Sequence, residues 1–312
     1  MAHIKQFAKD LLSTEKLLRY SSGHRFIFSY HDIGIPGTDH HSPRNATPPR
    51  LFEEQLDVIR RHFRIVPLDE ITDQKDLGKG NFAAITFDDG FHSVYTRARP
   101  ILKAANIPYA VFINGAAVTT GENWISNMEC YAGDEAYNRS VMASAGIADN
   151  KVADPVDAIV ERGKFHATWG SSYQRPWKDA PLYMSREQLT QLHSEGVILG
   201  DHTWDHVVLS GCSNDVLKDQ LTRGIDLLRS ITGSHSIHHA IPFGKRQHYH
   251  ARSVKLLRSL GLTRIYNTNP YRFTAKNARD PHFIFPRIGV IEQTAKELLF
   301  YINRTLLRRY DL

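Results

Sequence analysis

The chain has 312 residues, 41% hydrophobic and 23% charged, an ordinary globular composition that argues against disorder, collagen or a coiled coil. Lys and Arg number 39 against 33 Asp and Glu, a formal net charge of +6, yet no basic run carries interleaved aromatics, which argues against a nucleic-acid partner. Two cysteines without a CxxC pair, Cys130 and Cys212, argue against a disulfide framework and for a reducing compartment. The first twenty residues lack the unbroken apolar core of a secretion signal, and no later run of ~20 apolar residues offers a spanning helix. Cytoplasmic residence and no transmembrane segment are therefore expected.

In chain order, short apolar runs alternate with helical patterns. A strand is predicted at 26–30, followed by a Gly-, Pro- and His-rich loop at 31–49 and a helix at 52–62. Strands at 65–67 and 83–87, a helix at 93–105 and a strand at 109–113 follow. The stretch 114–184 breaks this rhythm. It carries Trp124, Tyr131, Tyr137, Trp169, Tyr173, Trp177 and Tyr183, with one helix pattern at 155–162. Such an insertion is expected to be a lid or substrate-binding region; the plainer alternative is that its aromatics form a small core of their own. A helix at 185–194, a strand at 197–200, a helix at 214–232, a strand at 239–242, a helix at 251–260 and a strand at 264–267 restore the alternation. The repeated strand–helix order predicts about seven parallel strands closing into a single α/β barrel domain over 1–312, with chemistry at the C-terminal strand ends. The segment 294–309 reads as a basic amphipathic helix, either an outer barrel helix or a peripheral membrane contact.

Two segments carry the chemistry. In Ala83-Ala84-Ile85-Thr86-Phe87-Asp88-Asp89-Gly90, an apolar strand delivers two adjacent carboxylates and then a glycine that permits a sharp turn. Neighbouring residues in extended backbone point oppositely, so one carboxylate can bind a cation while the other addresses a water beside it. Alone, an Asp-Gly pair after a strand is also an ordinary turn. In Gly200-Asp201-His202-Thr203-Trp204-Asp205-His206, two imidazoles four residues apart follow a second apolar strand. Together the segments supply a carboxylate-plus-two-histidine set that leaves metal positions open for water and substrate.

TFDDG followed by HTxxH resembles the polysaccharide deacetylase family, whose catalytic domain is the NodB homology domain. Phe28-Ser29-Tyr30-His31-Asp32-Ile33, Ile241-Pro242-Phe243-Gly244 and Phe285-Pro286-Arg287-Ile288 resemble further segments of it. The resemblance implies a distorted (β/α) barrel holding one divalent metal, zinc first, with cobalt or nickel as alternatives. It implies Asp89, His202 and His206 as metal ligands and Asp88 as general base; the oxyanion needs a further donor, for which the backbone N–H of Phe243 is the candidate. An arginine common in the family two residues before the proline is replaced by Ala240. Arg287 is the candidate to supply that guanidinium, with a structural salt bridge as its alternative. For the general acid, His31, His92 and His282 are candidates, His31 first because it ends the first strand. The implied activity is N-deacetylation of an acetylated amino sugar, nucleotide-linked or lipid-linked, in surface polysaccharide or glycolipid assembly. Hydrolysis of a non-sugar amide or cyclic imide, and carbohydrate binding without catalysis, are the competing readings.

Overall fold

A computed structural model describes residues 12, 15, 18, 22–38, 41–42, 44–73, 77–130, 143, 180–235 and 237–308. The expected helix at 155–162, Tyr131, Tyr137, Trp169, Tyr173, Trp177 and His40 lie outside these residues.

Strand β1 (Arg25–Tyr30) starts the barrel, and a small pair, β2 (Asp32–Ile33) with β3 (Ala46–Thr47), forms over the predicted first loop. Helix α1 (Pro49–His62), β4 (Arg64–Ile65), α2 (Leu68–Thr72) and β5 (Phe82–Phe87) follow. The next helix begins as a π-helical turn, Val94–Ala98, and continues as α3 (Arg99–Ala104). Pro100 has no N–H to donate, and the Arg99 N–H reaches back five residues to Val94 O. Then come β6 (Tyr109–Ile113), α4 (Gly115–Thr120), α5 (Trp124–Cys130), α6 (Arg186–Ser194) and β7 (Ile198–Asp201). The chain continues through α7 (Asn214–Thr232), β8 (His238–Ala240), α8 (Ala251–Ser259), β9 (Arg264–Asn267) and α9 (Ala275–Ala278) to β10 (Ile284–Pro286), β11 (Ile288–Gly289) and α10 (Ala295–Leu307).

The main sheet runs β10-β9-β8-β7-β6-β5-β1-β11, every pairing parallel, with β4 branching from the start of β5. Its two ends, β10 and β11, are consecutive in the chain and flank Arg287. The segment bonds to β9 before Arg287 and to β1 after it, so one short stretch brings the sheet round into a nearly closed barrel of eight strands.

Strands β1, β5 and β6 are buried along their whole length, as expected for a sheet covered on both faces. Their alternating side chains divide into two cores. Phe26, Phe28, Tyr30, Ile85, Phe87, Val111 and Ile113 pack outward beneath the helices. Ile27, Phe82, Ala84, Ala110, Phe112, Ala240 and Tyr266 fill the barrel interior. On β5 the inward row is therefore Phe82, Ala84, Thr86, and the next position on that row is Asp88.

Helix α10 packs on α1 and buries Leu298, Leu299, Ile302 and Leu306, so the amphipathic C-terminal segment is an outer barrel helix. Among the described residues no helix is long and apolar enough to cross a membrane.

Candidate metal centre and active site

Both motif segments end at the same rim of the barrel. Asp88 is 2% exposed and closes the β5 row, its N–H donating to Tyr30 O at 2.9 Å. Asp89 and Gly90 then turn the chain through left-handed backbone, φ 68° and 75°. A Cβ on Gly90 would also lie 3.2 Å from the Ile113 side chain, so this second turn residue favours glycine on two counts. Of five non-glycine residues with positive φ among those described, four are Asp89, Thr203, His206 and Phe243. Backbone strain is thus concentrated where the two motifs and the Pro-Phe-Gly turn meet.

The carboxylate of Asp89 faces both imidazoles: its Oδ1 lies 3.7 Å from His202 Nε2 and 3.3 Å from His206 Nε2. One donor atom from each of the three residues falls within 4.8 Å of the others, and all three residues are buried. His202 Nδ1 donates to Ala240 O at 2.7 Å, which fixes the tautomer and leaves Nε2 with its lone pair directed toward Asp89. Burial pushes the His202 pKa down to about 4 and that of His206 well below the usual imidazole range, the second also through the neighbouring His202. Neutral imidazoles and a carboxylate at this spacing fit a divalent cation.

Asp88 points away from this group to Arg287. The guanidinium donates from Nη1 to Oδ1 at 2.6 Å and from Nη2 to Oδ2 at 2.8 Å, a bidentate pair in which Arg287 is fully buried. Arg287 reaches Asp88 through the barrel interior, over the Phe112 ring and beside Thr86 Oγ1. Ala240 has no group that could reach Asp88, and the guanidinium there comes from Arg287, between β10 and β11. Burial pushes the Asp88 carboxyl up, but the charge of Arg287, helped by His202, His31 and the hydrogen bonds, holds it well below the usual carboxylate range.

A cavity of about 390 Å³ opens over these groups. His31 lines it, with Nε2 3.9 Å from Asp88 Oδ2, and Phe243 lines it with its ring edge-on to His206. The other two acid candidates are elsewhere. His92 Nδ1 pairs with Gln188, and exposed His282 meets Arg258. His41, in the His-rich first loop, bonds through Nδ1 to the buried Asp32 carboxylate. The cavity also holds residues that no motif marks: Arg44, Asn123, Ser126, Tyr183, Lys245 and His248. Lys245 and His248 follow Pro242-Phe243-Gly244 so closely that this turn was the available signal for them. Asn123 and Ser126 belong to the start of the insertion and Tyr183 to its end; a 2.5 Å hydrogen bond joins Ser126 Oγ to Tyr183 Oη across the cavity wall.

The start of the insertion is tied to the histidine turn. Asn114 Nδ2 donates to His202 O, Gly115 N to Thr203 O, and Trp124 Nε1 to Asp205 O. Its end is tied to the aspartate turn: Met184 N donates to Gly90 O, and Tyr183 stacks on Phe91.

Residues 75–265, well over half of the chain, match the polysaccharide deacetylase family, and the chain belongs to that family. Among solved structures, the deacetylase PplD of Streptococcus pyogenes, determined in complex with acetate, is similar with a TM-score of 0.60. It is 17% identical, over 89% of this chain and 98% of its own. IcaB of Ammonifex degensii is similar with a TM-score of 0.60 and 20% identity, over 90% of this chain and 97% of its own. The polysaccharide deacetylase BC0361 of Bacillus cereus gives 0.58 and 15%, over 90% of this chain and 69% of its own. At these identities the likeness is one of fold. No curated protein sequence matches the chain.

Proposed function

We propose that the protein is a metal-dependent N-deacetylase that hydrolyses the acetamide of an N-acetylated amino sugar. The observation that carries this reading is the division of labour between adjacent carboxylates: Asp89 faces two neutral imidazoles while Asp88, 2.6 Å from Arg287, faces the cavity beside them. Asp89, His202 and His206 would hold the ion, and zinc suits their nitrogen and oxygen donors. When bound, such an ion polarises the acetamide carbonyl and acidifies a water.

The chain's own groups do the rest. Asp88 accepts the proton of the attacking water, whose oxygen bonds to the acetyl carbon. Arg287 keeps Asp88 ionised and aimed, at the expense of its basicity. The Phe243 N–H is the proposed donor to the oxyanion. As the C–N bond breaks, a proton passes to the amine nitrogen, and His31 is the proposed source because it is the one acid candidate in the cavity. Acetate and the free amine are the products. Among the described residues, Arg44 and Lys245 are the cationic side chains that line the cavity, and they support a substrate carried on an anionic group such as a nucleotide or lipid phosphate. A protein that only bound carbohydrate would have no need of Asp88 as a base.

The test is acetate release from N-acetylated oligosaccharides, nucleotide sugars and glycolipids, with metal content measured on the same samples. Asp88→Asn is expected to lower kcat by about 10²–10⁴-fold with metal retained. Stoichiometric metal without acetate from any of these substrates would reject the activity.

A further inference from the structure

Directly behind the histidine turn, on the side of the sheet facing α7, lie two residues that the reaction does not use. Asp201 ends β7 and His239 sits opposite it in the parallel register of β8. Both are fully buried, and His239 Nδ1 donates to Asp201 Oδ2 at 2.6 Å. Neither lines the cavity. A buried carboxylate is costly to desolvate, and a well-packed apolar pair is often as stable or more so, so the pair needs an account other than stability.

We propose that Asp201 and His239 are a positioning pair that locks the turn carrying His202 and His206 into its ligating shape; this rests on the metal reading above. Three connections carry the argument. Asp201 Oδ2 also accepts the Thr203 N–H at 3.2 Å, tying down a residue whose φ of 64° is unfavourable for a β-branched side chain. Thr203 Oγ1 in turn accepts the Val207 N–H at 3.1 Å and closes the turn around His206. His239 holds β8 against β7 one residue before Ala240, whose carbonyl receives His202 Nδ1. One carboxylate thus governs the turn directly and, through His239, the strand that orients the first ligand.

Helix α7 is shaped to this pair. A Cβ on Gly224 would lie 2.1 Å from Asp201 Oδ1, so only glycine lets the helix approach without displacing the carboxylate. Gly224 touches no ligand and so offers a way to disturb Asp201 from outside the site.

The experiment measures Zn²⁺ affinity by competition with a chromophoric chelator, and amide hydrogen exchange of the metal-free protein. Asp201→Ala and His239→Ala are each expected to weaken Zn²⁺ binding about 10–100-fold, the usual effect of losing an outer partner, and the double variant no further. Asp201→Asn keeps an acceptor for Thr203 and is expected to restore most of the affinity, whereas Gly224→Ala weakens it. In the metal-free variants, amides of residues 203–207 should exchange about tenfold faster while the β5 and β6 amides keep their protection, which separates loss of the turn from loss of the fold. Parental Zn²⁺ affinity in folded Ala variants, or strictly additive effects, would overturn the proposal. If the parent protein binds no Zn²⁺ the metal reading fails, and the exchange of residues 203–207 alone then decides between a locked turn and an indifferent one.

Discussion

Asp88 is held by both oxygens, and the consequences of that grip can be measured at a single residue. Replacing Arg287, which lies over Phe112 and beside Thr86, with Met leaves the buried Asp88 carboxylate with its chief counter-charge removed. Breaking such a pair costs about 3–5 kcal/mol, while removing both charges costs far less. Arg287→Met is therefore expected to be markedly less stable in denaturant than the Arg287→Met/Asp88→Asn double variant. The sign of the pH effect follows from the same contacts. Burial raises the Asp88 pKa and Arg287 lowers it, so without the guanidinium the carboxyl titrates higher. Arg287→Lys keeps a charge but not the fork, and the acid limb of its kcat/KM profile should move to higher pH; an unmoved limb would remove Asp88 from the role of base. At this scale much was legible. Asp88, Asp89, His202 and His206 declare themselves by type and spacing. Asp201 and His239 do not, because their pairing depends on the register of two strands separated by the whole of α7.

Elements were legible where local and tertiary signals agreed. The strands at Tyr109–Ile113 and Arg264–Asn267 and the helix Asn214–Thr232 form at their expected bounds. In the helix, the Ser213 side chain accepts the Val216 N–H at one end and Gly233 adopts left-handed backbone at the other. The barrel's closing segment was missed as strand, since β10 and β11 are three and two residues long and change partners at Arg287. So short a run has no period to detect; only its position between β9 and β1 makes it a strand. The amphipathic C-terminal segment shows the reverse case, a clear pattern with two possible partners, water–lipid interface or barrel. Ile302 is fully buried, whereas Leu307 on the same helix is 62% exposed. Ile302→Ala should therefore cost about 2–5 kcal/mol in denaturant unfolding. Leu307→Ser should stay within about 0.5 kcal/mol. Equal, small effects at both positions would return the helix to the membrane reading.

At the scale of the whole molecule, the same burial that prepares the imidazoles for a cation makes the fold sensitive to acid. His31, His202, His206, His238 and His248 all have pKa values lowered first by burial, with His202 and His248 pushed down to about 4. In the unfolded chain each titrates near the ordinary value of about 6.5. Between these limits the unfolded state binds protons that the folded state does not, so stability falls as pH falls. For His202 alone the shift corresponds to a few kcal/mol. Asp88 does not oppose this trend: its lowered pKa contributes stability that is present above the unfolded carboxylate value of about 4 and is lost only below it. The metal-free protein is thus expected to lose stability steadily from about pH 6.5 toward pH 4, read as a falling denaturant midpoint. A bound cation would act only on the deprotonated set. Zn²⁺ at 100 times its dissociation constant should add about 2.7 kcal/mol at neutral pH. That increment should shrink as protons compete for His202 and His206, and a chelator should abolish it. A denaturant midpoint unchanged from pH 7 to pH 5 in the metal-free protein would mean that these histidines are charged or solvated in the folded chain. The neutral ligand set on which the deacetylase reading depends would then be lost with it.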